Sequence, residues 1–515
     1  MTIPKEVKTI IERLSKAGFE AYIVGGCVRD FLLGVEPKDW DVTTNAKPEE
    51  IQKVFPDSFY ENKFLTVTAR TGSKETEAPQ GGAKAQHKRE AVVAEVEITT
   101  YRLEAKYSDK RHPDEVRYAK TLEEDLSRRD FTVNAMALGH GTWNMEHGTK
   151  KTKKYEVIDL FDGQKDLKNK IIRTVGNPED RFDEDALRML RAVRFATTLG
   201  FKIEEKTANA IYKNSIWLKA ISQERIRDEF LKIIMADPST GSGPAGGIEL
   251  LRELGLLKFI VPELLDNYGV AQSKHHKYDC YQHAIKSLEY AAKKKFNMYV
   301  RVSALLHDIA KPKVKTGEGE AATFYNHEIV GAKMTFQILN RLKFSKKDVE
   351  KITKLVRFHL FYYNVGEVTE SSVRRLVRNV GPENMEELLQ VRQADRIGSG
   401  VPKAEPYKLR HLKYLVEKVA QDPISAKMLK MNGDEIMKLL NIKPGPKIGQ
   451  ILSILLGHVL DDPKNNNKEF LEKEVKRLGK LSDKELQKLS EKSKEEKQEI
   501  EVKKDEMTKQ KYWVT

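Results

Sequence analysis

Cysteine is almost missing: Cys27 and Cys280 are the only two in 515 residues. That excludes a disulfide framework and a cysteine-rich zinc site, and a cytoplasmic location is expected. Long apolar runs are missing as well. No stretch approaches the roughly 20 residues of a membrane helix, and the N-terminal residues lack the apolar core of a signal peptide. A membrane is therefore not an expected partner. There are no internal repeats. An acidic excess is also absent, since the formal net charge is +14. What is there, 39% hydrophobic and 33% charged residues, is the composition of a soluble, helix-rich protein of three or four domains. The basic balance favours a polyanionic partner such as nucleic acid.

Strand and helix periods alternate up to about residue 160. Residues 4–18 carry Val7, Ile10, Ile11 and Leu14 at helical spacing. Ala21–Val24 reads as a buried strand, Val28–Leu33 as a helix, Trp40–Thr43 as a strand, and Pro48 opens a further helix. Phe64–Ala69 and Val92–Arg102 read as strands around a Gly, Lys and Glu-rich insertion at 71–90. From about Asp183 onward nearly every segment has helical period. The expected fold is α+β, a small mixed-sheet head followed by an all-helical neck and body. The expected divisions are 1–160, 161–265, 266–400, 401–463 and a Lys/Glu-rich tail over 464–515. The tail is either an exposed, ion-paired helix or disordered.

The densest chemistry lies at Gly25-Gly26, Arg29 and Asp39-Trp40-Asp41. Paired glycines opening a helix let backbone N–H groups approach a phosphate. Asp39 and Asp41 have period-2 spacing, so on a strand both carboxylates point to one face, as a Mg²⁺ site for a nucleotide requires. Glu97 lies in the β-prone run Val96–Arg102 and supplies a third carboxylate, although Glu95 shares its strand face. Further on, Arg128-Arg129-Asp130 with Asn134 combines bidentate phosphate donors with an acceptor for sugar hydroxyls. A helix start capped by Asp130 is the simpler alternative. The helix at 181–194 carries Glu184, Asp185, Arg188, Arg191 and Arg194. Asp185 and Arg188 share a face and match the Watson–Crick edge of a base, while a salt-bridged solvent stripe explains the three arginines equally well.

In this order the motifs resemble the bacterial class II tRNA nucleotidyltransferase and poly(A) polymerase family of the DNA polymerase beta superfamily. The likeness runs from about residue 5 to 260 and includes Asp162-Gly163 and Ile172-Arg173-Thr174-Val175-Gly176. It implies metal-binding carboxylates at Asp39, Asp41 and Glu97, and ribose selection by Arg128, Arg129 and Asp130. It also implies a hinge near Asp162-Gly163 and an amino-acid template for the incoming base at Glu184, Asp185 and Arg188. Gly25, Gly26, Arg29, Asn134, Arg191 and Arg194 complete the nucleotide-binding set. The resemblance implies transfer of C, C and A from CTP and ATP to the tRNA 3′ end, with Mg²⁺. The segment Glu104–Tyr118 looks like the family's loop for the final A addition. A poly(A) polymerase and an A-adding enzyme are the related alternatives. An RNA-binding head without catalysis is a further one.

A second constellation holds His283, His307-Asp308, His327, His359 and Asp395 in helical segments. Adjacent His-Asp within Leu-Leu-His-Asp-Ile-Ala-Lys-Pro suits a divalent metal, whose identity the ligand types leave open. Over about 270–400 the chain resembles the HD phosphohydrolases. That resemblance implies a metal held by His283, His307, Asp308 and Asp395, with His327 and His359 matching the histidines of two-metal members. Lys311 stands one turn on, as a phosphate partner. The implied activity is hydrolysis of RNA 3′-phosphate or 2′,3′-cyclic phosphate ends. His275 and His276 read as surface residues, Cys27 as packing.

Overall fold

The computed structural model describes residues 2–61, 66–71, 94–105, 115–139, 155–272, 277–318, 321–361, 363–420 and 429–514. The 71–90 insertion beyond Thr71 lies outside them, as do His275, His276 and residues 106–114 of the expected A-addition loop. Contacts group the chain into two units, Met1–Arg357 with Ala394–Gly400, and Phe358–Gln393 with Val401–Thr515. No helix among the described residues is long and apolar enough to cross a membrane.

The head is a mixed sheet wrapped by short helices. Its elements run α1 (Lys5–Lys16), β1 (Ala21–Val24), α2 (Gly26–Leu32), β2 (Asp41–Thr44), α3 (Pro48–Val54), β3 (Ser58–Glu61), β4 (Thr66–Thr71) and β5 (Ala94–Thr100). They continue as β6 (Arg102–Ala105), β7 (Glu115–Tyr118), α4 (Leu122–Ser127), β8 (Met136–Gly139) and β9 (Glu156–Asp159). The strand order is β3-β4-β5-β2-β1-β8-β9. All neighbours are antiparallel except β2 and β5, which run parallel with Asp41 opposite Glu97. Val7, Ile10, Ile11 and Leu14 of α1 are buried, as their spacing requires, together with Ile23, Val42, Val67 and Ile98 of the sheet. Alternate strand residues face the other way. On that side Val24, Ala137 and Tyr101 pack with Leu122 and Leu126 of α4. Asp41 is paired with Val24 and with Glu97, so this second face carries the acidic groups.

After the head come α5 (Gly163–Asn169), α6 (Pro178–Glu184), α7 (Leu187–Leu199), α8 (Glu205–Asn214), α9 (Gln223–Ile234) and α10 (Gly243–Glu253). One apolar core continues from the sheet through Leu190, Phe230 and Leu251 to Leu305, Ile338 and Val356. In the second unit the charged tail is ordered helix, Lys468–Gly479 and Asp483–Tyr512. Leu471, Val475, Leu478 and Leu486 are buried with Ile451 and Leu455, and Val514 is buried with Leu412. The disordered alternative for the tail is thereby set aside. Leu471, Val475 and Leu478 stand at helical spacing on the first of the tail's helices and Leu486 on the second, and Asp505 pairs with Lys418 and Lys509.

Candidate active site and a second metal-ligand cluster

The turn between β1 and α2 is made by Gly25, with φ 85° and ψ −145°. That backbone region is open to glycine and strained for other residues. A Cβ at Gly25 would stand 3.0 Å from Arg129 Nη1 and 3.4 Å from Asp41 Oδ2. Glycine thus lets a guanidinium and a carboxylate close over the turn. Asp41 opens β2 and Asp39 stands two residues before it, exposed. Register puts Glu97 beside Asp41, whereas Glu95 is drawn to Arg70 at 3.1 Å. Burial raises the Asp41 carboxyl above its ordinary range, against the pull of Arg129, and Asp39 adds to the rise. Burial raises Glu97 too, followed by the charges of Asp41, Asp39 and Glu61. Carboxylates raised by burial and by neighbouring negative charge are a fit for a divalent cation, which relieves the repulsion. Among the described residues these three do not bring their oxygens within 4.8 Å of one another.

Beside them, α4 ends in the Arg-Arg-Asp motif. Arg128 donates from Nε (3.0 Å) and Nη2 (2.8 Å) to Asp125 Oδ1, and Arg129 Nη2 stands 3.5 Å from Asp125 Oδ2. Asp130 does not cap a helix. Its Oδ1 accepts from Asn134 Nδ2 (3.1 Å) and Phe131 N (2.9 Å), and its Oδ2 from Arg191 Nε (2.7 Å). Burial pushes Asp130 up, but Arg191 and Asn134 outweigh it and hold the carboxyl at about 2. Asn134 Oδ1 in turn accepts from Arg29 Nη1 at 2.7 Å. Arg29, Asn134 and Asp130 are buried and, with the half-buried Arg191, form one chain.

The α6–α7 junction holds Asp185 and Arg188. Asp185 is bound by Arg225 of α9, with Nη2 2.7 Å from Oδ2, and accepts from Leu187 N at 3.0 Å. Arg188 pairs with Glu184 and donates to the carbonyls of Arg181 and Arg128, each at 3.2 Å. Arg194 pairs with Glu229 at 2.6 Å and lies over the Phe195 ring. The arginines are therefore not a solvent stripe: each has a carboxylate partner and Arg188 is buried. Asp125, Arg225 and Glu229 went unnoticed in the sequence. For Asp125 a signal existed, an acid three and four residues before two arginines. For Arg225 and Glu229 none did, because their partners lie 40 and 35 residues away.

The second cluster also lies in the first unit. His283 Nε2 is 2.8 Å from His307 Nε2, 3.1 Å from Asp308 Oδ2 and 3.3 Å from Asp395 Oδ1. His327 Nε2 is 3.3 Å from Asp308 Oδ1. His307 Nδ1 meets Ala304 O at 2.8 Å and His327 Nδ1 meets Phe324 O at 2.7 Å. A carbonyl partner assigns the hydrogen to Nδ1. His307 Nε2 then faces Asp308, Asp395 and the His283 ring nitrogen, and His327 Nε2 faces Asp308. The carboxylates draw positive charge to this point, raising His307 to about 10 against its burial, and a cation there would take the proton's place. These residues fit a divalent metal. Lys311 Nζ is 2.6 Å from Asp308 Oδ2 and donates to Gln272 Oε1 at 2.6 Å. Gly398 lets the segment bearing Asp395 approach, since a Cβ there would stand 2.1 Å from Ser287 Oγ and 2.8 Å from His283 O. His359 falls in the other unit.

Residues 21–173 match the family described as "Poly A polymerase head domain", and 200–267 the one described as "Probable RNA and SrmB-binding site of polymerase A". Residues 321–475 match tRNA nucleotidyltransferase domain 2. The chain is 34% identical over 491 residues to a CCA-adding enzyme of Ligilactobacillus salivarius, a match covering 92% of this chain and 99% of that one. It is 32% identical over 493 residues to a CCA-adding enzyme of Enterococcus faecalis, with 92% and 97% covered. Among solved structures it resembles the Bacillus stearothermophilus CCA-adding enzyme in complex with CTP, with TM-score 0.53, 28% identity, and 93% and 98% of the chains covered.

Proposed function

The chain belongs to the family of CCA-adding enzymes, and from that premise we propose that it adds C, C and A to the tRNA 3′ end from CTP and ATP. The observation that carries this reading is the parallel register of Asp41 with Glu97, beside a Gly25 turn closed by Arg129. Asp39, Asp41 and Glu97 would hold Mg²⁺, which when bound polarises the 3′-hydroxyl and neutralises the leaving pyrophosphate. Gly25, Gly26 and Arg129 bind and orient the triphosphate, and Arg128 with the network around Asp130 fixes the ribose. Asp185 accepts from the exocyclic amino group of C or A, and Arg188 donates to the ring edge. Both side chains must first leave Arg225 and Glu184, so base selection proceeds by exchange of ion-pair partners. The basic neck and helical body bind the tRNA by shape and phosphate contacts. The test is labelled CTP with tRNA lacking its 3′ CCA: the wild-type protein incorporates label and the Asp39→Ala/Asp41→Ala variant does not. Incorporation by the variant contradicts the assignment.

A second activity is favoured by the inward-facing Nε2 atoms of His283, His307 and His327 around Asp308 and Asp395. His283, His307, Asp308 and Asp395 would hold a divalent metal, which when bound would lower the pKa of a water toward neutrality and so favour its attack on phosphorus. Lys311, now on Asp308 and Gln272, turns to a phosphate oxygen of the substrate. The reading is hydrolysis of RNA 3′-phosphate or 2′,3′-cyclic phosphate, and it predicts release of phosphate from 3′-phosphorylated RNA. An Asp308→Ala variant that releases it as fast as wild type defeats this reading.

A further inference from the structure

Asp125 is fully buried. Taking a carboxylate out of water costs several kcal/mol unless it is fully partnered. Here it is partnered from three directions. Arg128 donates twice, at 2.8 and 3.0 Å; Arg129 Nη2 lies at 3.5 Å; Thr43 Oγ1 of β2 and the backbone N of Arg102, at the start of β6, each stand at 3.4 Å. Asp125 therefore ties the two arginines to the strand that carries Asp41 and to the segment that follows β5.

Arg129 is only partly satisfied by this. Its Nε is buried and finds no acceptor among the described residues, and its Nη1 stands over Gly25 beside Asp41. A guanidinium with spare donors over a glycine turn is matched to a phosphate. It also has a competing partner, because Arg129 Nη1 and Asp41 Oδ2 close over the same glycine, 3.0 and 3.4 Å from where its Cβ would stand. Were Arg129 to settle on Asp41, one group would lose a donor for phosphate and the other an oxygen for the cation.

We propose that Asp125, itself anchored by Arg128, is a positioning residue for nucleotide addition: it holds Arg129 off Asp41 and aimed at the phosphates of the incoming nucleotide. Phosphates are common to CTP and ATP, so the effect is blind to the base. This rests on the nucleotide-addition reading above.

Steady-state addition by the full chain to tRNA ending before CCA, and to tRNA ending in CC, gives KM for CTP and for ATP. Asp125→Asn is expected to raise both by about tenfold and by the same factor, with kcat lowered much less. A merely structural role lowers the active fraction, hence kcat, and leaves KM alone; that result overturns the proposal, as does a rise confined to one nucleotide. Arg129→Lys is expected to raise both KM values likewise, and the double variant no further than the larger single, because the two residues act as one unit. Additive effects overturn it. Should Asn at 125 prevent folding, Asp125→Glu keeps the charge a methylene out of place, and unchanged KM values there, or in Arg129→Lys, overturn it too. A wild-type protein that incorporates neither nucleotide overturns the addition reading together with this one, whereas an active wild type with unchanged variants overturns this one alone.

Discussion

Gly25 shows how much one missing Cβ decides. At φ 85° a side chain is strained, and Arg129 stands 3.0 Å from where it would begin. Gly25→Ala is expected to displace Arg129 and lower kcat/KM for CTP by about a hundredfold, in line with a misplaced charged contact; a fall of less than threefold in a kinetic assay contradicts that placement. The carboxylates beside it carry a pH signature. Asp41 is raised above the ordinary carboxylate range by burial and by Asp39, against the pull of Arg129, and Glu97 by burial and by the charges of Asp41, Asp39 and Glu61. They therefore take up protons at a higher pH than free carboxyls do, and addition falls on the acid side before pH reaches about 4. A cation competes with those protons, so raising Mg²⁺ moves the acid limb to lower pH. A pH–rate profile at two Mg²⁺ concentrations with coincident limbs speaks against it. Asp130 has the opposite sign. Its carboxyl is held at about 2, so its stabilising contribution is complete above the unfolded value of about 3.9 and is lost as pH falls toward 2. Asp130→Asn removes the carboxylate partner of Arg191, whose side chain is 35% exposed, and a loss of about 1–3 kcal/mol in denaturant unfolding at neutral pH is expected. Most of these residues were legible in the sequence because glycine pairs, Asp-x-Asp and Arg-Arg-Asp are local patterns. Their partners Arg225 and Glu229 were not, since only the fold brings α9 to α6 and α7.

At the scale of elements, the periodic segments were legible and the junctions were not. The apolar spacing of Val7 to Leu14 foretold α1 (Lys5–Lys16) almost to the residue. By contrast β3, Ser58–Glu61, went unread. It is an edge strand with Phe59 exposed and no alternation to betray it. The run read as one strand over Val92–Arg102 is split, because Tyr101 turns its N–H to the Thr44 carbonyl and its ring into the core. Composition left the charged tail open between exposed helix and disorder: Leu471, Val475, Leu478 and Leu486 are buried, while Val502, Met507 and Trp513 stay exposed. Gly457 faces Ser493 so closely that a Cβ would stand 2.9 Å from Ser493 Oγ, and the helices Pro446–Asp461 and Asp483–Tyr512 meet there. Leu455→Ala, in the middle of that contact, is expected to destabilise the second unit by about 2–5 kcal/mol; an unchanged thermal unfolding curve contradicts the packing described. Gly398 does the same for the helix segment bearing Asp395. Gly398→Ala should lower the divalent-metal content of the purified protein while leaving nucleotide addition intact, as read by elemental analysis and CTP incorporation.

At the scale of the molecule, both clusters of ligands belong to one unit with one continuous core, yet they share no residue. The Asp39→Ala/Asp41→Ala variant is expected to lose addition and keep phosphate release, and Asp308→Ala to do the reverse. Loss of both activities in either variant contradicts two independent centres. The net charge of +14 gives the whole chain a field suited to RNA, and addition should weaken steeply as salt rises. What most directly decides the account is the length of the product. Purified protein is incubated with tRNA ending before CCA, Mg²⁺ and CTP, ATP or both, and the product is resolved nucleotide by nucleotide. Two C residues with CTP alone, and a stop after a single A with both, are the expected result. A long ladder with ATP alone, or A added only to tRNA already ending in CC, would contradict it.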